Sequence, residues 1–193
     1  MAPDIMALMK AGVLALQGDF REHAAMFAAC GATPILVRSP EEVASVDCLA
    51  IPGGESTTIG RLARLYGLVK PIRARAEEGL PVLGTCAGMI VMARTVNGGE
   101  PLLSLLDVEV TRNAYGRQTE SFEADVEVQE VGIVRGVFIR APQVDRVGPE
   151  VHVLAEHGGR PVVVRQGDLL AAAFHPEIAG DPRLHQRLLE MTG

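Results

Sequence analysis

The apolar positions fall into two regimes. From Ala11 to Gly84 short unbroken apolar runs alternate with longer amphipathic stretches. Ala11 to Leu16, Pro34 to Val37, Asp47 to Ile51 and Pro81 to Gly84 read as strands apolar on both faces. Between them, Phe20 to Cys30, Thr57 to Tyr66 and Leu68 to Glu78 show helical spacing, the last ended by Gly79. Continuous apolar strands separated by helices predict a parallel sheet covered on both faces. Beyond Leu106 the pattern changes. Leu106 to Thr111, Phe122 to Val128, Gly136 to Ile139, Val151 to Ala155 and Pro161 to Arg165 read as shorter strands, several alternating. Leu169 to Phe174 is apolar again, and Asp181-Pro182 reads as an N-cap and first helical position for a closing helix carrying Leu184, Leu188 and Leu189. The expected architecture is α/β: a single-domain open, mostly parallel sheet flanked by helices, with a small antiparallel addition.

The 193 residues suit one domain with a full core. Residues 1–10 carry Asp4 and no basic start, so they are read as an N-terminal extension outside the fold rather than a signal peptide, with residues 11–193 as the domain. No apolar run reaches the roughly 20 residues that span a bilayer. A net charge of −6 argues against a nucleic-acid partner. The basic residues Arg61, Arg64, Lys70, Arg73 and Arg75 are interleaved with apolar ones and read as a solvated helix face, or else a docking patch. Cys30, Cys48 and Cys86 are odd in number and widely spaced, which predicts no disulfide framework and a cytoplasmic location. Cys30 and Cys48 read as small buried apolar residues.

Only Cys86 has a turn built around it. Gly84-Thr85-Cys86-Ala87-Gly88 stands between two apolar runs, so strand, sharp turn and helix are expected, the arrangement of a nucleophile elbow with sulfur in place of oxygen. The helix N-terminus at such a turn favours the thiolate. Phe174-His175-Pro176-Glu177 supplies a base, and a carboxylate two residues on whose side chain is expected to point the same way along a strand. Nucleophile, base and orienting acid are then all present, pointing to covalent acyl transfer.

Three further segments belong near that chemistry. Pro52-Gly53-Gly54-Glu55-Ser56-Thr57-Thr58 follows the third strand and opens a helix, with Ser56 as the expected N-cap. In a parallel sheet such loops form the ligand crevice, and adjacent glycines expose N–H donors. The loop lacks both the P-loop and the dinucleotide glycine spacings. Arg112-Asn113-Ala114-Tyr115-Gly116-Arg117-Gln118 is a polar loop between strands, and Arg140 ends another strand. Either arginine suits a surface charge or a clamp for a carboxylate. His23, His152, His157 and His185 read as surface or capping residues. Cys86, His175 and Glu177 are metal-ligand types, yet no further Cys or His stands at ligand spacing, so no metal is expected. A redox-sensing thiol or a cysteine peptidase could share the Cys86 turn; the first leaves His175 and Glu177 without a role, the second leaves the arginines without one.

These motifs, with Ala15-Leu16-Gln17-Gly18-Asp19-Phe20-Arg21-Glu22-His23, Ser121-Phe122-Glu123-Ala124 and Phe138-Ile139-Arg140-Ala141-Pro142, resemble the class I, triad-type glutamine amidotransferases. The Cys86 turn and His-Pro-Glu indicate that superfamily. The Gly-Gly-Glu-Ser-Thr-Thr and Arg-Asn-x-Tyr-Gly-Arg-Gln segments are similar to its pyridoxal 5′-phosphate (vitamin B6) branch rather than to glutaminases of imidazole glycerol phosphate or anthranilate synthesis. The resemblance implies a flavodoxin-like fold, Cys86 as nucleophile, His175 as general base and acid, and Glu177 as its partner. It implies that Gly54, Glu55, Ser56, Arg112, Ile139 and Arg140 hold L-glutamine, with backbone at Gly53, Gly54 and Ala87 forming an oxyanion hole. It implies no cofactor, and a pyridoxal 5′-phosphate synthase subunit as partner in a large hetero-oligomeric complex. Ammonia would pass to that subunit, and the helix from Phe20 and the Gly53-Gly54 loop are expected near the interface.

Overall fold

A computed structural model describes residues 9–112 and 121–192. Its centre is a seven-stranded sheet in the order β10-β11-β12-β4-β3-β1-β2. The strands are β1 (Lys10–Leu14), β2 (Thr33–Val37), β3 (Cys48–Ile51), β4 (Val82–Thr85), β10 (His152–His157), β11 (Arg160–Gln166) and β12 (Leu169–Ala172). β2, β1, β3, β4 and β12 run parallel, while β10 and β11 add antiparallel at one edge. β3 and β4 are buried at every residue, as an interior parallel strand requires. Two smaller sheets are present among the described residues. One joins β5 (Ala93–Asn97), β6 (Leu106–Thr111) and β9 (Gln143–Val147), and the other is the hairpin of β7 (Phe122–Val128) and β8 (Gly132–Phe138).

The helices are α1 (Phe20–Ala29), α2 (Pro40–Ser45), α3 (Ser56–Leu65), α4 (Val69–Glu77), α5 (Ala87–Met92) and α6 (Arg183–Glu190). α1 packs on β1, β2 and α6, and α5 lies on β3 and β4 against α3. None of the described helices is long and apolar enough to cross a membrane.

The structure corrects the sequence reading at several points. Lys10 opens β1 and the Met9 carbonyl accepts from the Thr33 amide, so both residues pair with the sheet; residues 1–8 lie outside the described part. α2 was not anticipated, although Ser39 and Glu42 form a full capping box around it. The apolar run after Cys86 stops being helical at Met92 and continues directly as β5, with no turn residue to mark the change. β9 was also missed. The closing helix has Pro182 rather than Asp181 at its cap position, with Asp181 accepting from the Arg183 amide one residue further out. Residues 113–118 of the polar loop lie outside the described residues.

Candidate active site

Four loops at the carboxyl ends of β1, β3, β4 and β12 converge, the position at which open parallel sheets bind ligands. Cys86 follows β4 directly and adopts φ 47° and ψ −103°, outside the regions a side-chain-bearing residue favours. Its amide donates to the Ala172 carbonyl at 2.8 Å, which ties the turn to the neighbouring strand. The flanking glycines are required by contact. A Cβ at Gly88 would lie 2.0 Å from the Ile51 carbonyl oxygen, and one at Gly84 would lie 2.6 Å from Met92 Sδ. The Cys86 thiol lies 3.8 Å from the Ile139 carbonyl oxygen.

His175 and Glu177 do meet, but not by strand alternation. β12 ends at Ala172, and His175 is held beyond it by two backbone hydrogen bonds to Val137 of β8, 2.9 Å and 3.3 Å long. Glu177 follows in a turn, and its Oε1 sits 2.8 Å from His175 Nδ1. Asp19 Oδ2 also approaches Nδ1, at 3.3 Å. Burial alone would lower the His175 pKa. Its hydrogen bonds to Asp19, Cys86 and Glu177 outweigh burial and hold the imidazole above the ordinary histidine range. Burial would likewise raise the Glu177 carboxyl, but the neighbouring His23 and the hydrogen bond from His175 outweigh it and hold the group well below the usual carboxylate range. Asp19, His175 and Glu177 bring ligand-type atoms within 4.8 Å of one another. With Nδ1 of His175 aimed at both carboxylates, the cluster has the geometry of an ion pair.

A cavity of about 260 Å³ opens in front of Cys86. Gly54, Glu55, Ser56, Cys86, Ala87, Arg112, Ile139, Arg140 and His175 line it, with Asp19, Ile90 and Ile178 beside them. Gly53 stands against the His175 ring, where a Cβ would come within 2.1 Å of Cε1, and Glu177 lies buried behind that ring. The residues expected for catalysis, for L-glutamine and for the oxyanion hole are therefore at or beside one cavity. Glu55, not Ser56, caps α3: its carboxylate accepts from the Thr57 and Thr58 amides and the Thr58 hydroxyl. These bonds outweigh partial burial and lower its pKa to about 2. The same carboxylate receives Arg112 Nη2 at 3.1 Å, so capping also aims the arginine at the cavity. Arg140 has φ 45° at the end of β8, a backbone bend that turns the Ile139 carbonyl toward Cys86.

Sequence reading missed four polar residues. Thr85, His23 and His185 are fully buried and Asp19 touches His175. The reading of His23 and His185 as surface or capping residues is wrong. Phe20, His23 and Phe27 share one helical face, and His185 sits between Leu184 and Leu188, so the apolar spacing carried the signal.

A model of the SNO glutamine amidotransferase family matches residues 13–192. The chain belongs to the SNO glutamine amidotransferase family. Curated members called pyridoxal 5′-phosphate synthase subunit PdxT are similar to it throughout. The one from Streptomyces avermitilis is 56% identical over 186 residues, covering 94% of this chain and 92% of its own. The one from Thermus thermophilus is 54% identical over 185 residues, covering 94% and 97%. A crystal structure of a glutamine amidotransferase superposes with a TM-score of 0.91 at 52% identity, covering 95% of this chain and 98% of that one. PurLQS from Thermotoga maritima reaches a TM-score of 0.75 at 17% identity and shares the fold.

Proposed function

We propose that this chain is the glutaminase subunit of pyridoxal 5′-phosphate synthase, hydrolysing L-glutamine and delivering ammonia to a synthase subunit. The observation that carries the reading is the alignment of Cys86, His175 and Glu177 at a cavity lined by two arginines and the Glu55 carboxylate. Relatives more than half identical along the chain support the pathway.

The Cys86 thiolate adds to the side-chain amide carbon of glutamine, forming a C–S bond and pushing the carbonyl electrons onto oxygen. Backbone N–H groups of Ala87 and of the Gly53-Gly54 loop hold that oxyanion. His175 gives its proton to the nitrogen, the C–N bond breaks, and ammonia leaves a glutamyl thioester. Water, deprotonated by His175, then attacks the thioester; glutamate departs and the thiolate returns. Glu177 keeps the ring oriented and balances its charge throughout. Arg112 and Arg140 receive the substrate α-carboxylate, and Glu55, with the Ile139 carbonyl, accepts from its α-ammonium.

Bulk water would protonate free ammonia, which supports direct transfer to the synthase subunit; the resemblance places both in a large hetero-oligomeric complex. α1 and the Gly53-Gly54 loop, adjacent to the base, are the surface on which the synthase acts. Three unpaired cysteines fit a cytoplasmic location. Glutamate release is measured with and without the synthase subunit, beside Cys86→Ala. Stimulation by the synthase that vanishes in the variant is expected. Full activity indifferent to the synthase refutes the partner, and no glutamate under either condition refutes the reading.

A further inference from the structure

The polar network around the base continues past Glu177 into the core. Glu177 Oε1, besides receiving His175, lies 3.4 Å from His23 Nε2 and 3.4 Å from the Thr85 hydroxyl. His23 Nε2 is 3.0 Å from Thr85 Oγ1, and its Nδ1 is 2.7 Å from His185 Nε2. Both histidine side chains are wholly buried, and Phe27 presses edge-on against His185 at 5.0 Å between ring centroids. His185 Nδ1 has no partner among the described residues.

That orphan atom fixes the protons. A buried N–H without an acceptor costs more than a bare lone pair on nitrogen, so His185 Nδ1 carries no hydrogen and Nε2 does. His185 Nε2–H then donates to His23 Nδ1, and His23, neutral with its remaining hydrogen on Nε2, donates toward Thr85 and Glu177. Burial, with the neighbouring His23, lowers His185 to about 3, in keeping with a neutral ring. One assignment thus satisfies every N–H and directs the chain of dipoles at the triad carboxylate.

We propose that His23, with its tautomer set by His185, is a positioning residue that holds the ionised Glu177 carboxylate on His175. The role rests on the glutaminase reading given above. Two wholly buried imidazoles impose a desolvation cost that apolar residues would avoid, and their polar atoms converge on one carboxylate. The groups facing Glu177 come from four elements: His175 after β12, His23 on α1, Thr85 on β4, and His185 one step behind on α6. Asp19 and Cys86 reach it only through the His175 ring. A donor to the ionised form favours that form, so removing it loosens the ionised carboxylate's hold on the His175 ring.

The test compares His23→Gln, His23→Asn and His23→Leu, each assembled with the synthase subunit, in kcat and KM for glutamine. Glutamine can place its amide donor where His23 Nε2 stands, whereas asparagine reaches only to the Nδ1 position. His23→Leu and His23→Asn are expected to lose about 10- to 100-fold in kcat. KM should stay within about twofold. His23→Gln should recover most of the kcat. If His23→Leu does not fold, the Gln and Asn pair decides the matter alone. A wild type that releases no glutamate overturns this role together with the glutaminase reading. A working wild type whose Gln and Asn variants share one kcat overturns the role of His23 alone.

Discussion

Replacing Gly53 by alanine puts a methyl group where the His175 ring already lies. The added Cβ would stand 2.1 Å from Cε1, 2.7 Å from Nδ1 and 3.0 Å from Asp19 Oδ2. Ordinary contact begins at 3.4 Å, so ring and loop must part by about 1.3 Å. Neither side can move freely. The Gly53 carbonyl accepts from the Asp19 amide at 3.2 Å, and the next loop is so close that a Cβ at Gly18 would fall 1.7 Å from the Gly53 oxygen. On the other side, the ring is fixed by its 2.8 Å bond to a Glu177 that is only 3% exposed. Overpacking of this kind costs about 1–3 kcal/mol, a fall in Tm of about 2–12 °C for a chain of this size. The kinetic effect should be larger, because a misplacement of about 1 Å costs about 100-fold in rate. Glutamate release by the assembled complex, with a melting curve on the same preparation, reads both. Gly31→Ala is the control: φ there is +84° but nothing lies within 4 Å of the new Cβ, so stability falls and kcat does not. A Gly53→Ala enzyme that keeps kcat within about threefold would show that the base does not need its present position, and the geometric account of the site would be refuted.

Glu177→Gln keeps the shape and removes the charge, and is expected to lower kcat by about 10²–10⁴-fold with little change in KM. Because the Glu177 pKa is depressed in the folded state, its contribution to stability is complete above the ordinary carboxyl value of 4.5 and is lost as the pH falls below it. The wild type should therefore lose Tm on acidification more steeply than Glu177→Gln, and parallel curves would contradict that linkage. Alkylation by iodoacetamide should inactivate through Cys86. Cys48 is wholly buried, and burial with Asp47 beside it pushes its thiol up to about 12, while burial also raises Cys30. Mass spectrometry that finds Cys30 modified first, with activity intact, would sink this order of reactivity.

The parallel half of the sheet was legible because its strands are apolar on both faces, a pattern that survives without any tertiary information. β3 and β4 were anticipated within a residue of their ends. The elements that escaped are those whose boundaries carry no local mark. α5 runs into β5 at Ala93 without a glycine or proline between them, so nothing local marks where helix becomes strand. Glu55 capped α3 in place of Ser56 because its longer side chain folds back onto two amides at once, which residue type alone does not reveal. His23 and His185 were misread for the opposite reason. Histidine carries no strong preference for inside or outside, and only its place on an apolar face decides.

The two halves of the fold also divide the work of the site, and this division bears on what a sequence pattern can show. Cys86, His175, Gly53 and Asp19 all follow strands of the one continuous sheet, whose registers fix their spacing. Arg112 follows β6, and Ile139 and Arg140 follow β8, in the two smaller sheets. The backbone bonds between Val137 and His175 are among the contacts that join those sheets to the first. That pairing both seats His175 and brings the Ile139 carbonyl to within 3.8 Å of the Cys86 thiol. Gly136 guards it: a Cβ there would lie 2.6 Å from the Phe174 ring, directly before the base. Chemistry and recognition thus share a backbone contact between residues nearly forty positions apart, a pairing that neither local sequence reveals.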